Sequence, residues 1–185
     1  MPLGRRRLGW WSPDPRGVLP VDALEVSRSM RRAARRFETR IDTAFAAVIE
    51  RCATIVRPHG WITRPMIDAY LTLHDLGVAH SVETWQDHRL VGGLYGVSLG
   101  SLFAGESMFH EVTDASKVAL MRLATEMATV PDALLDVQWT TPHLTSLGAT
   151  DVARDRYRRD VTQALAGPAP QVFGRPSPTG SATTE

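Results

Sequence analysis

The sequence predicts an α+β fold built on a mixed β-sheet, with a helical and irregular arm ahead of it. Three observations carry this. Behind an irregular start, helical patterns run from residue 27 to residue 77. Two β-favouring runs then meet at a tight turn, and a third run follows. Helical and strand periods alternate from there to residue 165.

Residues 1–22 are rich in Trp, Pro, Arg and Gly. The segment WWSPDPRGVLP holds X-Pro breaks that exclude a helix interior and reads as irregular. Ser27 to Arg36 can form a helix. Asp42 to about Val56 forms a second, with Phe45, Val48, Ile49 and Cys52 at helical spacing. Thr63-Arg64-Pro65 opens a third, with Met66, Ile67, Tyr70 and Leu73 inward and Gly77 as its stop. HSVETWQD and RLVGGLYGVS flank a turn near Asp87-His88 and predict a hairpin. SLFAGESMF predicts a third strand. Thr113 or Asp114 caps a helix running to about Ala128, with Leu120, Leu123, Ala124 and Met127 on one face. Ala133 to Gln138 reads as a short strand and Asp151 to Leu165 as an Arg-rich helix. The expected division is a basic arm with helices over 1–60, the sheet domain over 61–166 and a disordered tail over 167–185.

A chain of 185 residues, 43% hydrophobic, fits one domain or one domain with a small appendage. Its net charge of +1 hides an asymmetry. Residues 1–60 hold twelve Arg and six acids, net +6, and residues 61–185 are net −5. The basic half suits a polyanion and the acidic half a cationic or neutral substrate, unless the gradient is chance. Cys52 is the single cysteine, which excludes an intrachain disulfide and fits a reducing compartment. Arg5-Arg6-Arg7 precedes no apolar stretch of the kind a signal peptide needs. No apolar run approaches membrane-spanning length, and the histidines are scattered without metal-ligand spacing.

Val91 to Lys117 is the richest segment. Gly92, Gly93, Gly96, Gly100 and Gly105 crowd two strand-like runs, where glycine marks close approach of a ligand or another backbone. Glu106 is a lone acid among Phe103, Met108 and Phe109, a placement that costs free energy without a partner. Asp136 and Gln138, two apart on a strand, project to one face, with Leu135 and Val137 on the other. A carboxylate and an amide there suit binding of an amine and control of its proton, or else they simply hold the following loop. Arg28, Arg32 and Arg35 share a helix face, flanked by Arg31 and Arg36. Like charges at that spacing repel, so a polyanion would relieve them; a solvated face is the plainer alternative. Trp10, Trp11, Trp61 and Phe103 are candidates for base stacking, against core packing. Leu94, Met108, Leu120, Met127 and Leu135 are either plain core or the wall of an apolar pocket.

Together these segments resemble the leucyl/phenylalanyl-tRNA–protein transferase family. The resemblance is carried by WWSPDPRGVLP, VSRSMRR, GWIT, LHDLGVAHSVETW, LVGGLYGV, LFAGESMF, DASKVAL, LLDVQ and HLTSLGA, in family order from about Trp10 to Arg159. It implies a GNAT-like acyltransferase domain. It implies transfer of Leu or Phe, less often Met, from aminoacyl-tRNA to proteins with N-terminal Arg or Lys, marking them for N-degron proteolysis. It implies no cofactor and no metal. A cytoplasmic monomer without membrane contact is expected.

By the same resemblance Asp136 and Gln138 are the catalytic pair, with Glu106 beside them. Trp61 packs on the terminal adenosine. Leu94, Phe103, Met108, Leu120, Met127 and Leu135 form the amino-acid pocket, and Arg28, Arg32 and Arg35 contact tRNA. The chain departs from the pattern in three ways. The family carries a longer segment ahead of WWSPDPR, so its N-terminal region is represented here only in part. Thr141 stands where Asn is common. Met127 and Leu94 occupy places often aromatic and Met. Two rivals are an RNA-binding module without activity and an acetyl-CoA-dependent N-acetyltransferase. The second lacks its glycine-rich pyrophosphate loop in HEVTDASKVAL.

Overall fold

The hairpin at the centre of the molecule forms for a local reason. Asp87 and His88 both take positive φ (49° and 61°), the geometry of a two-residue turn whose twist matches its flanking strands. In the computed structural model, which describes residues 11–22, 24, 26–55 and 61–173, this turn joins β3 (Ala79–Gln86) to β4 (Arg89–Leu99). The other strands are β1 (Arg16–Leu19), β2 (Glu38–Ile41), β5 (Leu102–His110), β6 (Leu134–Gln138) and β7 (Thr150–Val152). They form one sheet in the order β2-β3-β4-β5-β6-β1-β7. Only the β5–β6 pairing is parallel, so the sheet is mixed, as expected.

The helices among the described residues are α1 (Arg28–Ala34), α2 (Phe45–Thr54), α3 (Arg64–Asp75), α4 (Ala115–Met127), α5 (Pro142–Thr145) and α6 (Arg154–Ala166). Ser27 caps α1, its hydroxyl accepting from the Met30 N–H at 3.1 Å. Asp114 stands at the N-cap of α4 but does not cap it; its carboxylate accepts from Lys117 at 2.9 Å instead. Gly77 stops α3 in the left-handed conformation (φ 69°). No helix among the described residues is long and apolar enough to cross a membrane.

α4 covers one face of the sheet. Its Leu120, Leu123, Ala124 and Met127 pack with Val82, Leu94, Phe103 and Leu135 in the largest core cluster. α2 and α3 cover the other face over Tyr95 and Phe109, and α6 extends that cover over Leu102 and Leu134. Gly92 exists for this packing, since a Cβ there would lie 2.5 Å from the Ala115 Cβ. The close approach that the strand glycines signal is therefore, at Gly92, the approach of α4.

Three expectations need correction. β1 arises in the segment read as irregular, and β2 in the stretch between two predicted helices to which the sequence assigns no element, because the pairing of both is long-range and leaves no local pattern. Asp151 pairs with Gly17 in β7, so α6 begins only at Arg154. Residues 167–173, read as the start of a disordered tail, pack on the molecule: Phe173 is buried, with its ring centroid 4.7 Å from His80 and 5.5 Å from Phe103. Trp10 and residues 174–185 lie outside the described residues.

Candidate active site

β5 and β6 pair only from Leu102↔Leu134 to Ala104↔Asp136, although β5 continues to His110. Beyond that point the parallel pair opens. The gap is bridged by a side chain: Gln138 Nε2 donates to the Gly105 carbonyl at 2.9 Å. Because Gly105 O can only accept, the amide nitrogen must face it, which fixes the orientation of the Gln138 amide. Gln138 itself has φ 67°, the left-handed region that a non-glycine residue adopts only when its surroundings demand it.

Glu106 stands at a β-bulge. Tyr95 pairs with Ser107 and Gly96 with Gly105, leaving Glu106 as the extra residue. Bulges bend a strand and re-aim a side chain. Here the carboxylate meets Tyr70 from α3 and Gln138 Nε2 at 3.5 Å. Burial pushes the Glu106 pKa above the ordinary carboxylate value, against the hydrogen bonds from Tyr70 and Gln138, which lower it. Burial also raises the Tyr70 hydroxyl, helped by the Glu106 charge, so Tyr70 remains a donor.

Asp136 is fully buried. Its Oδ1 accepts from Arg16 Nε at 3.0 Å and from the Gln138 backbone N–H at 2.8 Å. Its Oδ2 accepts from Arg16 Nη2 at 2.8 Å and from the Tyr157 hydroxyl at 2.6 Å. Asp136 and Gln138 are thus joined by a backbone bond, and Glu106 is joined to Gln138.

On the α4 side of the same opening lies a cavity of about 320 Å³, near the lower end of the range for small-molecule sites. Leu94, Met108, Leu120 and Leu135 line it, as do Leu123, Val137 and Leu144. Glu106 lines its edge, and Trp139, Thr141 and His143 complete the polar rim. Burial, with the charge of Lys117, lowers the His143 pKa and favours the neutral ring. Phe103 and Met127 do not line the cavity. Both are fully buried in the core cluster behind it, where Phe103 meets Phe173 and Met127 belongs to the face of α4 that packs on the sheet.

Trp61 is half-buried just before α3 and packs on the cluster beneath α2 and α3, apart from the cavity lining. Arg28, Arg32 and Arg35 are exposed, with Arg28 and Arg32 on α1 and Arg35 at its C-cap. The helix itself packs against α4, whose residues Leu120 and Leu123 line the cavity. Sequence reasoning missed Arg16, Tyr70, Tyr157 and Trp139 as site residues. The one signal for Tyr157 is its place as a lone aromatic in RDRYRRD; Arg16 has none, since its partner is 120 residues away. No cluster of His, Cys, Asp and Glu able to hold a metal ion occurs among the described residues.

A sheet opened between parallel strands, with an apolar cavity of side-chain size beside an acid–amide pair, is an arrangement able to seat an apolar group next to side chains that can hold or accept a proton. The sequence matches the family described as leucyl/phenylalanyl-tRNA protein transferase over residues 18–162. The chain belongs to that family. A leucyl/phenylalanyl-tRNA–protein transferase of Azoarcus sp. (strain BH72) is 52% identical over 166 residues, covering 87% of this chain and 71% of the relative. The protein of the same name from Aromatoleum aromaticum is 55% identical over 152 residues, covering 80% and 64%. That from Paramagnetospirillum magneticum is 48% identical over 164 residues, covering 86% and 78%. Among solved structures, a functionally unknown conserved protein from Staphylococcus epidermidis ATCC 12228 aligns with a TM-score of 0.52 at 11% identity, over 74% of this chain and 56% of that one. This last likeness concerns the fold alone.

Proposed function

We propose that this chain transfers Leu or Phe, and less readily Met, from aminoacyl-tRNA to the α-amine of proteins that begin with Arg or Lys. The single observation that carries the reading is the apolar cavity lined in part by Glu106, to which Gln138 donates from behind, in a chain of this family. The opening between β5 and β6 supports a GNAT-like acyltransferase domain.

The amino-acid side chain of the ester enters the cavity against Leu94, Met108, Leu120 and Leu135. Its ester carbonyl then lies at the polar edge. The ester is already activated, so the step needs no nucleotide hydrolysis. The neutral acceptor amine attacks the carbonyl, a C–N bond forms, and the tetrahedral intermediate breaks its C–O bond to the ribose. One amine proton leaves through Glu106 to the departing ribose oxygen. A raised pKa makes Glu106 a stronger base than a free carboxylate. Gln138, with Nε2 engaged by Gly105 and Glu106, has Oε1 to accept from the amine and hold it for attack. Glu106 also draws the cationic first residue of the acceptor. Phe103 and Met127 back the cavity wall rather than touch the substrate. Trp61 is the proposed stacking face for the terminal adenosine, and the exposed Arg28, Arg32 and Arg35 grip the tRNA backbone. Discrimination between Leu and Val rests on cavity depth, where one methylene is worth about 1–3 kcal/mol. The enzyme works as a monomer in the cytoplasm, in keeping with one buried cysteine.

The test is transfer of labelled Leu from Leu-tRNA to an Arg-starting peptide, with a Val-starting peptide beside it. Transfer to the first alone is expected. Salt-sensitive RNA binding with no transfer would leave an RNA-binding module instead, and binding of acetyl-CoA would favour an N-acetyltransferase.

A further inference from the structure

We infer that Arg16 and Tyr157 are positioning residues for the transfer reaction, acting through Asp136 to fix the strand end that presents Gln138. This rests on the function proposed above. An ionised carboxylate has about four lone-pair sites. All of them are taken in Asp136: two bonds from Arg16, one from Tyr157 and one from the Gln138 backbone N–H. The carboxylate is also fully buried. It has neither an acceptor site nor a path for an incoming amine, so its part in the reaction is exerted through Gln138.

The three elements that meet here are far apart in the chain. Arg16 stands on β1, paired with Val152 of β7. Tyr157 stands on α6, and its ring lies 5.1 Å from the Arg16 guanidinium. Together they clamp Asp136 from the side away from the cavity. The clamp has a purpose that a bare ion pair lacks. The β1–β6 register slips between Gly17 and Val18 opposite this stretch, and Gln138 takes its left-handed backbone there. Asp136 Oδ1 holds that backbone by its N–H, so any rotation of the carboxylate is passed to the residue that bridges the opening.

Both donors keep their protons. Burial opposes the charge of Arg16, but the hydrogen bond and charge of Asp136 outweigh it and raise its pKa. Burial and the bond to Asp136 raise the Tyr157 hydroxyl likewise. The fork of Arg16 matches both carboxylate oxygens, which a lysine ammonium cannot do.

The experiment compares steady-state transfer by the wild-type chain with Tyr157→Phe, Arg16→Lys and Arg16→Ala. Tyr157→Phe removes one hydrogen bond and keeps the ring. We expect kcat to fall about ten-fold, with KM for Leu-tRNA and for the peptide within about two-fold of wild type on the same grounds. Arg16→Lys should fall further, and Arg16→Ala furthest. Added guanidinium should restore part of the Arg16→Ala kcat with KM unchanged, whereas an ion pair that only supported the fold would recover stability without this selective gain in kcat. Wild-type kcat in Tyr157→Phe, a loss confined to KM, or a variant that does not fold would overturn the inference while the function stands. No transfer by the wild-type chain would overturn the function, and the positioning role with it.

Discussion

The two sides of the β5–β6 opening differ in what they leave vacant. On the α4 side, Leu94, Met108, Leu120 and Leu135 surround about 320 Å³ of cavity. On the other, Tyr70, Glu106, Gln138, Asp136, Arg16 and Tyr157 form a chain of hydrogen bonds that closes on itself at Asp136. One side offers shape and almost no directionality. The other offers direction and, at Asp136, no room. The proposed function has the substrate selected on the apolar side and held where the two meet, at Glu106 and the Gln138 amide bonded to it.

Asp136→Ala breaks the polar side most deeply. It strands the part-buried Arg16 cation, and loss of one partner of a buried pair costs about 3 kcal/mol or more. The expected outcome is a fall in single-turnover transfer of at least about 100-fold, beyond any loss in urea stability, with tRNA affinity kept. A rate within three-fold of wild type, in order of magnitude, would separate the polar chain from the reaction.

Leu120→Trp tests the apolar side alone by filling the cavity. Transfer of Leu should drop about 10–200-fold, the range one or two misplaced methylenes command. Overpacking should cost about 1–3 kcal/mol in a denaturation curve. The pH dependence of the residual rate should stay unchanged, because Glu106 keeps its surroundings. A shifted pH profile would mean that the two sides are not separable.

Tyr70→Phe sharpens the comparison from the edge. A base must be ionised, so the rate rises with pH through the Glu106 pKa. The Tyr70 hydrogen bond lowers that pKa and burial raises it. Removing the bond leaves burial less opposed, so the acid limb of kcat/KM should move to higher pH. A limb that stays in place assigns the ionisation to another group. The smallest effect belongs to Arg32→Ala, which touches neither side. It should weaken tRNA binding evenly and flatten its salt dependence by about one charge.

Local periods made much of the fold legible from sequence. The β3–β4 hairpin and α4 obey periods of two and 3.6, and both appear where the pattern puts them. β1 could not be read, because Arg16–Leu19 is a four-residue strand whose partners lie beyond residue 134. The bulge at Glu106 defeats simple alternation: counted by twos from Phe103, Met108 falls on the opposite face, yet both join the same core cluster. Asp136 and Gln138 stood out in the sequence by their spacing. That four donors converge on Asp136 did not, because Arg16 and Tyr157 reach it only through the sheet and α6. The resemblance puts Phe103 and Met127 in the cavity wall; periodicity leaves Met127 open between core and wall, which share one period, and only the position of the empty space tells them apart.

The most direct measurement compares single-turnover transfer from one tRNA charged with Leu and then with Val, in the wild-type chain and in Leu120→Trp. If the cavity seats the amino-acid side chain, wild type should favour Leu by about 10–200-fold, and Leu120→Trp should erase most of that preference. An equal preference in both proteins would contradict the assignment of the cavity to the transferred amino acid.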